Sequence, residues 1–553
     1  MSLQRPAAGL AVPVAIIGGG PVGLMLAMSL DALGVPALVV NKEPSTRRLP
    51  KGSTQNARTM EHYRRLGIAR PIRALGLPPD YPTDVGYFTR ITGWELARIS
   101  MPSEGEKMQG VAAAPATAQL PEPLLRCNQM YVEQFLLAHA RTLANVTLRY
   151  GWECVDWDER GDGLVAQLVE ATTGRREAWR CRFLVGCDGA QGLARRKLGI
   201  RYDGERVLEQ PYLGGPMVNT HLHAPELYAR IGRARCWQYW AVNREVRSNL
   251  VALDGKGEFV FSSKLGSFDE TPDGAVIARQ FHATVGAAVA VEFLGHSTWT
   301  AGQALVAEQF GAGRVFLAGD AIHLFTPTGG FGMNTGIDDA VNLAWKLAAT
   351  VEGWGGKRLL DSYEIERRPI ARRNTGASRQ LARNVGAVPV GAAIEEESAA
   401  GSAARAEASA YLATFGEEFA SIGVQLGARY DTSPIVVPDG TAPPPDDPAT
   451  YVPSACPGGR APHLWLADRS SLFDHFGRFF TLLRLRGGAD TRPLEAAARA
   501  RGIPLATFDV TAPEGRDLYE RDLALIRPDQ HVGWRGDRLP PDCDALMARL
   551  TGW

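Results

Sequence analysis

Hydrophobic and polar positions follow several distinct rhythms along this chain of 553 residues. Residues 12–17 (VPVAII) form a short, almost uninterrupted apolar run, the pattern of a strand covered on both faces. A glycine cluster follows, then a helical run over 24–33 stopped by Gly34, then a second apolar strand at 37–40. Strand, glycine turn, helix, strand is one βαβ unit, which implies a parallel sheet. The spacing predicts further helices at 55–66 (ended by Gly67), at 129–143 and at 334–351. Residues 147–187 alternate as strands and end in the apolar run Phe183-Leu184-Val185, and 314–318 is another short strand. Residues 81–125 carry many turn formers and little periodicity. Residues 205–295 are rich in aromatic and β-branched residues without a helix–strand repeat, so we expect a mixed or antiparallel sheet. After Arg368 one long helix is predicted, running into the Ala/Glu-rich stretch 391–413. The proline-rich stretch 443–453 reads as a linker, and 454–553 as a last unit with its own strands and helices.

Composition narrows the function classes. Sixty Lys+Arg balance sixty Asp+Glu, so bulk electrostatic attraction to nucleic acid or an anionic membrane is not expected. The seven cysteines are odd in number, scattered and free of any CxxC pair, which fits a reducing cytoplasm and offers no zinc or dithiol motif. The apolar run 12–30 is interrupted by Gly18, Gly19, Gly20, Pro21 and Gly23 and meets Asp31, so we expect neither a signal peptide nor a membrane span.

The glycine clusters carry the chemistry. Gly18, Gly20 and Gly23 lie between a predicted strand and helix, where Gly18 allows the turn, Gly20 a close pyrophosphate and Gly23 tight packing. That is a dinucleotide fingerprint. The next strand ends in Asn41-Lys42, where an acidic residue is expected to hold ribose hydroxyls. A second turn, Asp188-Gly189, follows the strand ending at Val185. A third pattern is longer: Gly319-Asp320 after a strand, His323, then Pro327-Thr328-Gly329-Gly330-Phe331-Gly332-Met333-Asn334 before a helix. Asp320 can reach a sugar or ribityl hydroxyl, the glycine run lets a flat ring approach the backbone, and the helix points its positive end there.

These three motifs, in this order and spacing, resemble the single-component FAD-dependent aromatic hydroxylases of the p-hydroxybenzoate hydroxylase class. The resemblance extends to Tyr363-Glu364-Ile365-Glu366-Arg367-Arg368-Pro369, which looks like the family's closing helix. It also reaches Pro457-Gly458-Gly459-Arg460 and Arg527-Pro528-Asp529-Gln530-His531, which look like the thioredoxin-like C-terminal domain of the phenol and chlorophenol hydroxylase branch. It implies an α/β and α+β architecture: a Rossmann-like FAD-binding domain (1–80, 115–200 and 300–385), a mixed-sheet substrate domain (81–114 and 201–299), a helical connection (386–442), the linker (443–453) and the thioredoxin-like domain (454–553). Carried over residue by residue, it implies FAD contacts from Gly18, Gly20, Pro21, Val22, Gly23, Asn41, Lys42, Arg58, Arg126, Gln129, Asp188, Gly189, Gly319, Asp320, Pro327, Gly330, Gly332, Met333 and Asn334. One departure is Gly192, where the family's Asp-Gly motif usually has serine. The last unit holds only Cys456 and Cys543, far apart, so a structural or dimer-supporting role is expected of it rather than redox exchange.

A single strand–GxGxxG–helix unit implies that NADPH or NADH binds transiently as electron donor. The resemblance further implies that O2 then forms a flavin hydroperoxide that hydroxylates a small phenolic aromatic substrate. Pro327 is expected beside the ring, limiting access to the reacting oxygen, and Tyr239, in Trp237-Gln238-Tyr239-Trp240, is the candidate substrate contact. Ser53, with Lys51, Thr54 and Gln55 around it, is the polar position near Arg58. The alternative is the same flavin chemistry on a polyketide or other polycyclic natural product, by hydroxylation, epoxidation or Baeyer–Villiger insertion. A non-catalytic flavin-binding regulator is a remote third. No metal, nucleic acid or membrane partner is expected, and a homodimer is common in the family.

Overall fold

The structure, a computed structural model, describes residues 10–208, 210, 212, 214–267, 273–419 and 421–553, so parts of the predicted segments 1–80, 201–299 and 386–442 fall outside the described residues. The first sheet has eight strands, with a spine ordered Gly311–Ala312, Val315–Leu317, Arg176–Gly186, Ala11–Ile17, Ala37–Asn41, Val146–Tyr150. The register sets Ile17 level with Gly186 and with Val40, and Gly186 level with Leu317, all in parallel pairs. The three glycine turns therefore leave the sheet at one edge, the carboxyl edge where such sheets bind ligands. The apolar runs at the centre of the spine, Val14–Ile17, Ala37–Val40 and Phe183–Gly186, are buried, as their unbroken hydrophobic pattern required.

The second sheet has seven strands in the order Glu292–Ala301, Gly215–His223, Glu258–Lys264, Arg247–Ala252, Gln238–Val242, Val85–Phe88, Glu95–Ile99. It is mixed: the pairing of Gln238–Val242 with Val85–Phe88 is parallel and the others are antiparallel. Its two faces differ. Phe261 and Ser263 turn towards the helix Gly274–Val285, meeting Phe281 and Gln280. Glu258 and Ser262, four residues apart and so in phase, turn the other way, where Glu258 meets Tyr131 of the helix Gln129–Ala140. Half of the segment 81–125, which showed little periodicity, contributes the two strands of one edge. The rest includes the helix Glu104–Ala113, which buries no residue and so has no apolar stripe to read, although Ser103 and Glu106 form a capping box.

Residues 454–553 contain a four-stranded sheet ordered Leu505–Asp509, Phe480–Arg484, Leu523–Ile526, Val532–Gly536. A parallel crossover through the helix Arg492–Ala500 is followed by an antiparallel hairpin and the helix Cys543–Leu550, the expected thioredoxin-like arrangement. Cys456 and Cys543 are both unpaired thiols, bonded to Thr441 and Pro540 carbonyls respectively.

Three helix boundaries differ from expectation. The first helix starts at Pro21, whose missing N–H costs nothing in a first turn. The glycine-run helix spans Phe331–Glu352, starting inside the glycines rather than at Asn334. The long helix is Lys357–Gly386, tolerates Pro369 inside it, and stops before Pro389, which biases its predecessor away from helix. A separate helix, Ala399–Leu412, restarts at Ser398, whose side chain accepts the Gly401 N–H. Among the described residues no helix is long and apolar enough to cross a membrane.

Candidate active site

The three glycine turns meet. Gly18 has φ +110°, and a Cβ there would lie 2.2 Å from the Cys187 carbonyl oxygen, so the first turn can pack on the second only as glycine. Val22, in the first turn of the first helix, packs against both Gly319 and Gly336 and so joins the first glycine turn to the third. Space for a ligand is left open around Gly20 and Gly189, where a Cβ would meet nothing within 4 Å. The helices Pro21–Ala32 and Phe331–Glu352 begin at Gly20 and Gly330 without any side-chain cap. Their first N–H groups and dipoles are therefore available to anionic groups. An adenine dinucleotide with a diphosphate and a ring that turns anionic on reduction fits this cradle.

Asp320 stands between these two helix ends with a side chain 40% exposed, and Lys51 Nζ lies 3.2 Å from its Oδ2. Burial would raise the pKa of Asp320, but Lys51 and His323 outweigh it and hold the carboxyl below its ordinary range. Behind Asp320 the turn is fixed from within. Asp339 accepts the Gly319 N–H at 3.4 Å and bonds His323 at 2.6 Å, and Arg367 Nε donates to its other oxygen at 2.8 Å. Arg367 also pairs with Asp338, which bonds His62 Nε2 at 2.9 Å. Burial pushes His62 down to about 4, so the neutral ring donates to Asp338. The glycine run itself is pinned by Thr326 and Thr328, both bonded to Ser378 of the long helix. Asn334 donates to the Thr54 and Gly330 carbonyls and accepts the Asn56 N–H. The side chain of Asn334 therefore braces the loop, leaving the main chain of this turn to face a ligand.

The other predicted contacts divide. Asn41 Oδ1 accepts the Gly19 N–H at 3.1 Å and its Nδ2 donates to Glu43, so this side chain closes the glycine turn; Lys42 is exposed beside it. Asp188 accepts the Ala194 N–H, and a Cβ at position 192 would lie 2.1 Å from its carboxylate. Gly192 thus makes room for the Asp188 cap, which accounts for the absent serine. Arg126 donates to Thr54 Oγ1 at 2.6 Å and lies 3.7 Å over the Trp237 ring, bridging the glycine-run region to the seven-stranded sheet. Gln129 opens the helix Gln129–Ala140 and bonds Glu133, while Ser53 accepts from Asn128. Pro327 is exposed ahead of the run, with Gly332 and Met333 half-buried.

Two calls are corrected. Arg58 is buried and its guanidinium is spent on Glu61, Gln530 and the Asp529 carbonyl, so it ties the first unit to residues 454–553 instead of meeting a flavin. Tyr239 is wholly buried, stacks with Phe88, and its hydroxyl accepts the Cys236 N–H, so it is a core residue on the helix-covered side of the sheet. The side of that sheet turned to the helix Gln129–Ala140 carries what the sequence did not disclose. Ser262 Oγ and Trp299 Nε1 both donate to Asn219 Oδ1, at 2.8 and 3.0 Å. Two residues along the same strand, His221 bonds Glu258, which also accepts from Tyr131.

A dinucleotide cradle at the carboxyl edge of a parallel sheet, facing a mixed sheet and backed by a thioredoxin-like unit, defines the single-component flavin hydroxylases. The comparisons agree. Residues 11–378 match the FAD binding domain family and residues 454–553 the C-terminal domain of aromatic-ring hydroxylases, and the chain belongs to this family of FAD-dependent monooxygenases. It is 31% identical to the FAD-dependent monooxygenase apdD of Emericella nidulans, over 98% of this chain and 90% of that one. Among solved structures it resembles RebC with bound 7-carboxy-K252c, at 35% identity and a TM-score of 0.88, covering 99% of this chain and 100% of that one. It also resembles aklavinone-11 hydroxylase in its ternary complex with FAD and aklavinone, at 27% identity and a TM-score of 0.80, covering 98% and 99%.

Proposed function

We propose that this chain is a monooxygenase of a polycyclic aromatic natural product, with NADPH or NADH as transient electron donor and O2 as co-substrate. The observation that carries this reading is the width of the polar row on the inward face of the seven-stranded sheet. Asn249, Ser262, Asn219 and Ser297 are register partners on four adjacent strands, and all are half-buried. Three strand spacings of about 4.8 Å make a wall of about 14 Å, several fused rings wide rather than one phenol ring. The likeness to RebC and to aklavinone-11 hydroxylase supports the same choice, and the simple-phenol expectation gives way to it.

Bound FAD supplies the exchange of two electrons with the nicotinamide and the activation of oxygen for transfer. The chain supplies the setting. The helix N-terminus at Pro21 would face the diphosphate, and Asp320 would accept hydroxyl hydrogens of the ribityl chain while Lys51 offsets its charge. The N–H groups from Phe331 to Met333 would favour negative charge on the ring system. Arg126 and Trp237 close one end of the cleft against water. With one nucleotide fingerprint in the sequence, the nicotinamide has no resident site of its own and reaches the ring from solvent.

Anaerobic reduction of the purified flavoprotein by NADPH, then NADH, followed as bleaching near 450 nm, tests the reading. A polycyclic phenol such as quinizarin should accelerate reduction manyfold where phenol and 2,4-dichlorophenol do not. Equal acceleration by the single-ring phenols would overturn the polycyclic assignment.

A further inference from the structure

His221 lies on the strand Gly215–His223 with its side chain on the inward face, level with Val260 on one neighbour and Gly295 on the other. Its Nε2 is 3.1 Å from Glu258 Oε2, and the Tyr131 hydroxyl donates to the same oxygen at 3.1 Å. Tyr131 stands in the first turn of the helix that Gln129 opens, and the main chain of Gln129 donates to Gly52 beside the Lys51–Asp320 pair. The three residues therefore link the inward sheet face to the loop beside Asp320. The side chain of His221 is 11% exposed and that of Glu258 is 34% exposed, so this contact borders open space. With Nε2–H donating to the Glu258 carboxylate, Nδ1 keeps its lone pair, and no described residue bonds it.

Resting on the polycyclic-phenol reading above, we propose that His221 Nδ1 accepts the proton of the substrate's ring hydroxyl, with Glu258 and Tyr131 as positioning residues. The substrate O–H bond breaks and an N–H bond forms on Nδ1, giving a phenolate and an imidazolium whose charge the Glu258 carboxylate offsets. A phenolate ring is more electron-rich and takes the transferred oxygen more readily. Once the oxygen is on the ring, the attacked carbon loses its own proton to water as aromaticity returns, and the imidazolium gives its proton back to the ring oxygen it came from. The groups facing His221 are Glu258 from the strand Glu258–Lys264, Tyr131 from the helix Gln129–Ala140 and, through Tyr131, Asp254; two residues on, His223 lies on the same face, level with Glu258 and Glu292, while Val260 and Gly295, level with His221 itself, carry no charge.

The test is an absorbance titration of the oxidised holoenzyme with quinizarin at neutral pH, where the free dye is orange and its ionised form violet. The expected result is saturable binding with a violet band. His221→Gln should bind the dye within about twofold of the unaltered protein and abolish the band. Tyr131→Phe and Glu258→Gln should weaken the band and move its appearance to higher pH, which loss of a mere tether between helix and sheet would not do. Dye that binds and stays orange in the unaltered protein, or a violet band that survives in both His221→Gln and Glu258→Gln, overturns the assignment to His221 while leaving the polycyclic reading intact. Dye that does not bind at all overturns the polycyclic reading, and the proposal falls with it.

Discussion

The first unit meets the rest of the chain along two seams. Towards residues 454–553 the seam has a dry ionic core, beside aromatic contacts of Trp345 with Phe480 and Trp354 with Phe479 and a more exposed Arg64–Asp474 pair. Arg460 grips Glu61, Arg58 bonds Glu61, Gln530 and the Asp529 carbonyl, and Arg527 spans Glu366 and Asp529 while Lys346 donates to Glu366. With the Arg367–Asp338–Asp339 cluster this makes five cations and five anions, none with a side chain more than 12% exposed. Towards the seven-stranded sheet, Arg126 lies over Trp237, Tyr131 meets Glu258 and Arg247 donates to the Gly386 carbonyl of the long helix, while the polar side chains of the row stay half-buried. Buried charges tolerate no loss of a partner, so the first seam is a fixed join. Half-buried polar groups can exchange water for a ligand at little cost, which suits the second seam to the binding proposed above.

The largest expected effect breaks the fixed seam. Arg367→Ala leaves Asp338 and Asp339 buried with half their partners gone, a cost of about 3–5 kcal/mol. Urea denaturation should show it, together with weaker retention of FAD, because Asp339 also holds the Gly319 N–H. A variant that melts like the parent would mean the join carries no stability. Acid should weaken the same seam. Burial pushes His62 and His463 from the ordinary 6.5 down to about 4. Between those values the unfolded chain takes up protons that the folded chain refuses, so stability falls as pH drops through this window. The loss is about 3 kcal/mol per histidine once pH reaches about 4. Urea midpoints measured from pH 7 to pH 4 should fall accordingly, and His62→Gln should remove about half of the slope.

A smaller effect separates binding from folding at the cradle. The Lys51–Asp320 pair is exposed, so Lys51→Ala should leave the urea midpoint within about 0.5 kcal/mol of the parent. The same change removes a cation beside an anionic cofactor, and the Kd for FAD should rise by about tenfold at low salt and less at high salt. Fluorescence titration of the apoprotein with FAD measures both. A Kd that is unchanged at every salt concentration would mean that Lys51 serves only Asp320.

The glycine cradle and the two seams differed in how far the sequence revealed them. The cradle was legible because its demands fall on the main chain: only glycine fits against the Cys187 carbonyl at Gly18, and that demand leaves a pattern in consecutive letters. The ionic seam left none, because its partners are remote; Arg58 reaches Gln530 across 472 positions, so a buried arginine read as a ligand contact. Tyr239 failed for a local reason. Every residue of Trp237-Gln238-Tyr239-Trp240 suits a strand, and alternation cannot say which parity faces the cleft. The register answers it: Trp240 pairs with Asn249 on the inward side and Tyr239 with Leu250 on the helix side. The same parity hid His221, which has no motif around it and gains meaning only from Glu258, 37 positions away, and from Tyr131.

The smallest effect sharpens the contrast most. Trp299→Phe removes one donor to Asn219 Oδ1 and leaves the Ser262 donor in place. Asn219 is half-buried and can turn to water, so the stability cost should be at most about 1 kcal/mol, near the resolution of a urea melt. If this row of side chains exists for a ligand, Asn219 without its orienting donor should bind a polycyclic phenol several-fold more weakly. Quinizarin binding to Trp299→Phe should therefore move more, in free energy, than the urea midpoint does. The opposite order, a clear loss of stability with unchanged dye binding, would make the polar row part of the sheet's own packing. It would also erase the distinction between the two seams.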